Sequence, residues 1–234
     1  NADIVFIKNI DNVVHNNYKD ITNKYKKVLA CILIRVKKKV DYYLNILVGL
    51  DFETSIFSEI KDFCRDSLAI EIKDLSDFKE VENYRDYLLS VLNKPIRVCG
   101  IVKNEGQPGG GPFWIKKENG ELSLQIVESA QVDMEDKKQK EIFNSSTHFN
   151  PVDLVCLVKG FNGEKFELTD FVDYNTGFIT EKSQQSKKIK VQELPGLWNG
   201  SMANWITIFV QVPLETFTPV KTINNLLDSG HNPL

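Results

Sequence analysis

From residue 18 to residue 48 apolar side chains return at helical spacing, among them Ile21, Tyr25, Val28, Leu29, Ile32, Leu33, Val36 and Val40. This run follows an apolar stretch at residues 3–8. That stretch predicts a strand with apolar residues on both faces, as in a parallel sheet covered by helices. Residues 56–68 and 76–92 carry further helical patterns, with Ser55 and Ser76 as expected N-caps and Pro95 as a stop. A strand, a helical block over residues 17–93 and a return to strands together specify α/β, with the helical block inserted in the sheet topology.

After Pro95, Ile96 to Val102 reads as a strand, then a glycine-rich loop, then a strand at Leu122–Val127. Met134–Phe143 reads as a short charged helix. Apolar runs follow at Asp153–Val158 and Phe166–Val172, and Lys182–Lys188 reads as a polar, mobile loop. Trp205–Val212 predicts a long strand and Lys221–Leu227 the start of a terminal helix.

Charge narrows the function. The 234 residues carry a net charge of −3 with a pI near 5.7, which is not the basic excess of a nucleic-acid binder. The lysines of the first helix (Lys24, Lys26, Lys27 and Lys37 to Lys39) fall largely on one face and read as a solvated surface. The cysteines Cys31, Cys64, Cys99 and Cys156 lie far apart, without a CxxC pair or a nearby histidine at ligand spacing. Free thiols of a cytoplasmic protein are expected. No apolar stretch is long enough for a membrane span, and no signal-peptide pattern opens the chain.

Five short motifs carry possible chemistry. Asn9-Ile10-Asp11-Asn12 follows the first strand, where an open α/β sheet binds ligands. An aspartate there suits Mg²⁺, with Asn9 and Asn12 orienting it or binding a sugar, and an Asx turn explains the same residues. Gly109-Gly110-Gly111 allows close backbone approach to a phosphate or sugar, or forms a hairpin tip. Glu128 ends a strand, as an acceptor for hydroxyls or as an ordinary surface carboxylate. Asn150 precedes a buried run, in a capped turn or a site. Lys221 follows Pro213 and Pro219 at an expected helix start, where its charge opposes the dipole and an anion would fit.

The order of these motifs resembles that of the UDP-sugar pyrophosphorylases. Val5 to Asn12 is similar to their apolar strand ending in N-x-D-N. Gly120 to Val132 resembles G-x-x-x-L-x-E-x-x-Q-V, and Phe149-Asn150 with Leu154 resembles F-N-T-N-N-L. Val212-Pro213, Phe217, Pro219-Val220-Lys221-Thr222 and Leu226-Leu227 resemble V-P-R-x-R-F-x-P-V-K-T-x-x-D-L-L. The chain also resembles an uncharacterised bacterial family of unknown function that shares the stretches RVCGIVKNEGQPGGGPFW, STHFNPVDLVC and LPGLWNGSMANW. Members of that family have an additional N-terminal half with a loop like the pyrophosphorylase nucleotide loop. The chain is therefore expected to be the C-terminal part of one nucleotidyltransferase-like domain, its first strand lying centrally in the sheet of the whole protein.

The resemblance implies a GT-A-type mixed sheet with flanking helices. It implies Mg²⁺-assisted attack of a sugar 1-phosphate on the α-phosphorus of a nucleoside triphosphate. In that reading Asp11 binds the metal, and Asn9, a backbone amide near Gly110 or Gly111, Glu128 and Asn150 line the sugar. Lys221 meets the phosphates. The pattern departs from the family at Leu214 and Thr216, which replace arginines, at Val152 and Asp153, which replace asparagines, and at Asn225, which replaces an aspartate. A GT-A glycosyltransferase and a non-catalytic nucleotide-sugar-binding or regulatory module are the alternatives.

Overall fold

The computed structural model describes residues 2–49, 52–106, 109–117, 120–196 and 200–232. Gln107 and Pro108 of the glycine-rich loop, and 197–199 of the shared stretch near Trp205, lie outside the described residues. The elements in chain order are β1 (Ile4–Lys8), α1 (Lys19–Val48), α2 (Ile56–Leu68), α3 (Val81–Leu92), β2 (Ile96–Ile101) and β3 (Gly111–Lys116). They continue with β4 (Leu122–Val127), α4 (Lys137–Asn144), β5 (Asp153–Leu157), β6 (Phe178–Gln184), β7 (Lys187–Glu193) and β8 (Ile206–Gln211).

Four strands form a mixed sheet in the order β1-β5-β2-β8. Alternation along each strand divides its side chains between two faces. Ile96, Val98, Val155, Leu157 and Ile206 join the main core with Leu29, Leu33, Leu44 and Leu47 of α1 and Tyr84, Leu88 and Leu92 of α3. Each buried leucine contributes roughly 1.5–3 kcal/mol of transfer free energy. Gly100 lies under α1 and the end of β8, where a Cβ would stand 3.0 Å from Leu29 Cδ1 and 3.2 Å from Val212 Cγ1 and would push those methyls outward by a few tenths of an ångström. The other face buries Cys99, Leu154 and Cys156 under Met202 and Trp205. Arg97 is buried on that face too, its Nε donating to Thr207 Oγ1 at 2.8 Å. The helical block thus shares its core with the sheet. Among the described residues no helix is long and apolar enough to cross a membrane.

The expected α/β class, mixed sheet and flanking helices are present. Several local expectations change. β1 pairs antiparallel with β5, not in parallel, and stands at one end of the four-stranded order, with Phe6 54% exposed. Among the strands of the described residues, β2 and β8 are the pair that runs parallel. Ser76 lies within a 3-10 turn, Leu75–Asp77, and α3 begins later, at Val81. The apolar run at Phe166–Val172 holds a 3-10 turn, Leu168–Phe171. The terminal segment forms a 3-10 turn, Ile223–Leu227, and not an α-helix. Asn225 Oδ1 accepts from the backbone N–H of Lys221 at 3.1 Å and of Thr222 at 2.9 Å, a capping-box start, but the turn stops at Asp228, whose backbone is extended at φ −66° and ψ 150°.

The polar segment 182–188 is a hairpin, not a loop. Strands β6 and β7 pair from Phe178↔Glu193 to Gln184↔Lys187, and Gln185 and Ser186 make the two-residue turn. Both have positive φ, 49° and 62°, as a type I′ turn demands. Neither residue type suits that conformation, so replacing Gln185-Ser186 with Asn-Gly is expected to stabilise the fold by about 1 kcal/mol. Thermal unfolding of the double variant checks this through a higher Tm.

Candidate functional site

The strand directions bring four chain segments to one end of the sheet. Lys8, Gly100 and the first residue of β5, Asp153, lie in register, and Ile101 pairs with Gln211 at the end of β8. The residues leaving β1, β2 and β8 and those entering β5 therefore emerge together. They include Asn9–Asn12, Gly109–Gly111, Asn150 and the segment from Pro213 to Lys221.

Asn12 ties two of these segments. Its side chain is buried, donating through Nδ2 to Thr216 O at 3.1 Å and accepting through Oδ1 from Thr218 N at 2.8 Å. Val220 N donates to Asp11 O at 2.7 Å. Asp11 thus sits against the residue preceding Lys221, although the two are 210 positions apart in the chain. Asn12 is consumed by this clamp and is not left to orient a metal or bind a sugar. A turn does close the tetrapeptide, with Asn12 N donating to Asn9 O at 3.2 Å. Asn9 is exposed. The carboxylate of Asp11 makes no hydrogen bond or ion pair among the described residues, and neither does the ammonium of Lys221.

A second tie joins the other pair of motifs. Asn150 Nδ2 donates to Glu128 Oε1 at 3.1 Å, and Asn150 Oδ1 is buried with no partner among the described residues. Phe149 packs on Phe217 with ring centroids 5.3 Å apart, joining the Asn150 turn to the proline-bounded segment. Gln131 accepts from Glu128 N at 3.0 Å through Oε1 and donates to Thr176 O at 3.0 Å, which fixes the strand end that presents Glu128. Burial raises the pKa of Glu128, and the Asn150 hydrogen bond and the charge of Lys221 partly offset this. Lys221 therefore lies within electrostatic reach of Glu128.

The glycines approach protein rather than open space. A Cβ on Gly110 would fall 2.2 Å from Val127 O and 2.9 Å from Glu128 Cα, and one on Gly111 would fall 2.7 Å from His148 O. Gly111 already belongs to β3, so these residues are not a hairpin tip. Their lack of side chains lets Glu128 and the Asn150 turn close against each other.

The seven sequence-predicted residues thus gather at one end of the sheet. Asn9, Asp11 and Lys221 keep polar groups free, Glu128 and Asn150 form a pair with an unused acceptor, and Gly110 and Gly111 make the close packing possible. Sequence reasoning did not assign the structural roles of Asn12 and Gln131 or the Phe149–Phe217 contact. The recurrence of those residue types within the motifs was the available signal. Among the described residues no three or more His, Cys, Asp or Glu side chains cluster in a way that could hold a metal ion. A lone free carboxylate nonetheless fits Mg²⁺, which keeps several waters and takes further oxygens from substrate phosphates.

A model of the family described as domain of unknown function (DUF4301) matches residues 1–232. The chain belongs to this family. Comparison with curated proteins gave no match. Among solved structures, a variant UDP-glucose pyrophosphorylase from Leishmania major in complex with UDP-glucose is 19% identical. The match covers 64% of this chain and 33% of that one, with a TM-score of 0.36. A second Leishmania major variant with UDP-glucose is 16% identical over 73% of this chain and 38% of that one, with a TM-score of 0.39. The Trypanosoma brucei UDP-glucose phosphorylase is 21% identical over 64% and 32% of the two chains, with a TM-score of 0.41. The matched part of this DUF4301 chain spans about a third of the length of those proteins.

Asn12→Ala leaves the Thr216 carbonyl and the Thr218 amide without partners, and is expected to cost about 2–4 kcal/mol of stability, measured by denaturant unfolding. The pKa of Glu128 offers a separate check. Lys221→Ala and Asn150→Ala each remove an influence that lowers it, so each variant is expected to raise it above that of the parent sequence. Carboxyl-carbon NMR titration reads this shift directly.

Proposed function

We propose that this end of the sheet binds the sugar and phosphate groups of a nucleotidyl-transfer reaction, as part of a sugar-nucleotide pyrophosphorylase-like enzyme of GT-A type. The observation that carries the reading is the joining of Asp11 to the Lys221 segment through the 2.7 Å bond from Val220 N to Asp11 O, with Lys221 in electrostatic reach of Glu128. Residues that the motifs assign to metal, phosphate and sugar thereby share one neighbourhood. In the reaction a phosphate oxygen of the sugar 1-phosphate forms a bond to the α-phosphorus of the triphosphate. The bond to the β-phosphate bridging oxygen breaks, and pyrophosphate leaves.

The chain's own residues would position and neutralise. Glu128 and the free Oδ1 of Asn150 accept hydrogen bonds from sugar hydroxyls, and Asn9 offers an amide to the same group. Lys221 offsets the charge brought together when two phosphates approach. Asp11 would hold Mg²⁺, which supplies further charge neutralisation when bound. The triphosphate-binding loop is proposed to lie in an N-terminal part of the whole protein, and this chain alone is expected to turn over no substrate. Sugar phosphate and nucleoside triphosphate are the proposed ligands, and the cytoplasm the proposed location.

One observation favours a second reading, a module that binds nucleotide sugar without catalysis. Thr216, at the position of a family arginine, is buried, and Leu214, at the other, packs against the main core. The segment thus presents Lys221 without those two arginines. Turnover separates the readings. In the whole protein, Lys221→Ala is expected to lower pyrophosphorylase kcat/KM at least about tenfold, about 1.4 kcal/mol, because the ammonium acts on the reacting phosphates. Its Tm should hardly change, since the exposed side chain makes no hydrogen bond or ion pair among the described residues. A stable variant with unchanged turnover contradicts the assigned role. Binding of a UDP-sugar by a whole protein that has no turnover favours the module.

A further inference from the structure

The opposite end of the same strands holds a different pocket. A cavity of about 250 Å³ lies between the end of α2 (Leu68–Ile70), the end of α3 (Ser90, Val91 and Lys94), the β3–β4 hairpin (Lys117, Leu122–Leu124) and the start of β8. It shares no residue with the cluster around Asp11. Lys94 is half-buried there and makes no side-chain hydrogen bond or ion pair among the described residues. Lys117 lines the same space and donates to Asn204 Oδ1 at 3.4 Å. Trp205 also lines the cavity, and its indole N–H is buried without an acceptor among the described residues.

Two ammonium groups drawn together in a partly dehydrated pocket oppose folding unless something compensates them. Burial lowers the pKa of Lys94, the nearby Lys117 lowers it further, and Glu121 works in the other direction. Glu71 and Glu121 are exposed at the pocket, so carboxylates stand at its rim while the lysines stand deeper. Ser90 Oγ donates to Tyr87 O at 2.6 Å and keeps its lone pairs as acceptors, and Ser123 Oγ accepts from Gln125 Nε2 at 2.8 Å and keeps its proton to donate. The wall includes Ala69, held at φ 53° and ψ 41° in the left-handed region, where a residue with a Cβ is strained.

We propose that this pocket binds a small phosphorylated polyol at a second, regulatory site. Its phosphate group meets Lys94 and Lys117, and its hydroxyls meet Ser90, Ser123 and the rim carboxylates. The volume admits a sugar-phosphate-sized molecule and is smaller than the usual roughly 300–1,000 Å³ of larger ligand pockets. Strands β2 and β8 begin at this pocket and end at the Asp11 cluster, so the two sites share rigid elements. The proposal does not depend on the chemistry assigned to that cluster.

The test is calorimetry and ¹H–¹⁵N NMR of the chain as it stands, titrated with inorganic phosphate and with glucose 6-phosphate. Glucose 6-phosphate is expected to bind saturably and to shift the Trp205 indole resonance, with inorganic phosphate binding more weakly at the same place. Lys94→Met and Lys117→Met, which keep the side-chain length and remove the charge, should each weaken binding at least about tenfold, whereas Lys221→Ala should leave this resonance shift intact. Thermal unfolding of each variant shows whether it remains folded. Three results overturn the proposal: no saturable binding, equal binding by folded Met variants, or perturbation confined to Lys221 and its neighbours. A loss of stability in the Met variants with no ligand effect in the parent assigns Lys94 and Lys117 a structural role at the end of α3 and in the β3–β4 hairpin, and also overturns it.

Discussion

The candidate site depends on one buried amide. Asn12 stands just beyond an edge strand and bonds both sides of a segment more than 200 residues away, to Thr216 O and Thr218 N. Two flanking bonds join the same segments, Val220 N to Asp11 O at 2.7 Å and Thr218 Oγ1 to Val13 O at 2.7 Å, and Asn12 lies between them with its side chain buried. The proline-bounded segment forms a 3-10 turn rather than a long helix, so little internal structure fixes its path. A side chain bridging two backbone groups supplies that path. It turns the remote residues Asp11 and Lys221 into neighbours while leaving their charged ends available.

The ground beneath the clamp is also polar. Asp153, the first residue of β5, is buried between Lys8 at 3.7 Å and Lys26 at 3.8 Å. Burial raises the pKa of Asp153 and lowers that of Lys8, while the opposite charge works against each shift. Such an arrangement yields little net stability, because desolvation cancels much of the attraction. Its value is geometric: it fixes where α1 crosses the sheet beside β1 and β5. The main core then holds α1 through Leu29, Leu33 and Leu44, and Gly100 permits the close crossing. The site end of the sheet is thus set by apolar packing underneath and by specific hydrogen bonds above.

Much of this was legible in the residues because apolar period is a strong local signal. The helix at Lys19–Val48 and the strands at Ile4–Lys8, Ile96–Ile101, Leu122–Val127 and Asp153–Leu157 lie where the pattern puts them. Pairing direction was not legible. Ile4-Val5-Phe6-Ile7 reads as doubly covered, yet it is an edge strand with Phe6 largely exposed, because a run of apolar residues does not state how many neighbours it has. The hairpin at residues 178–193 was hidden by lysine and glutamine side chains and by a turn that lacks Asn-Gly. The terminal turn was hidden because it starts as a helix does, with Asn225 bonding the Thr222 amide in a capping box, and ends early at the extended Asp228. The site residues were legible as types in sequence order. Their division of labour was not: the tetrapeptide gives Asn12 a place beside Asp11 at a metal or sugar, and only the three-dimensional arrangement makes it a clamp to Thr216 and Thr218.

The most direct measurement is a crystal structure of the whole protein with Mg²⁺ and a UDP-sugar. The account predicts the metal on the Asp11 carboxylate, the phosphate groups beside Lys221, and sugar hydroxyls on Glu128 and the Oδ1 of Asn150, with the Asn12 clamp unchanged. A UDP-sugar bound elsewhere, with Asp11, Glu128 and Lys221 all facing solvent, would contradict it.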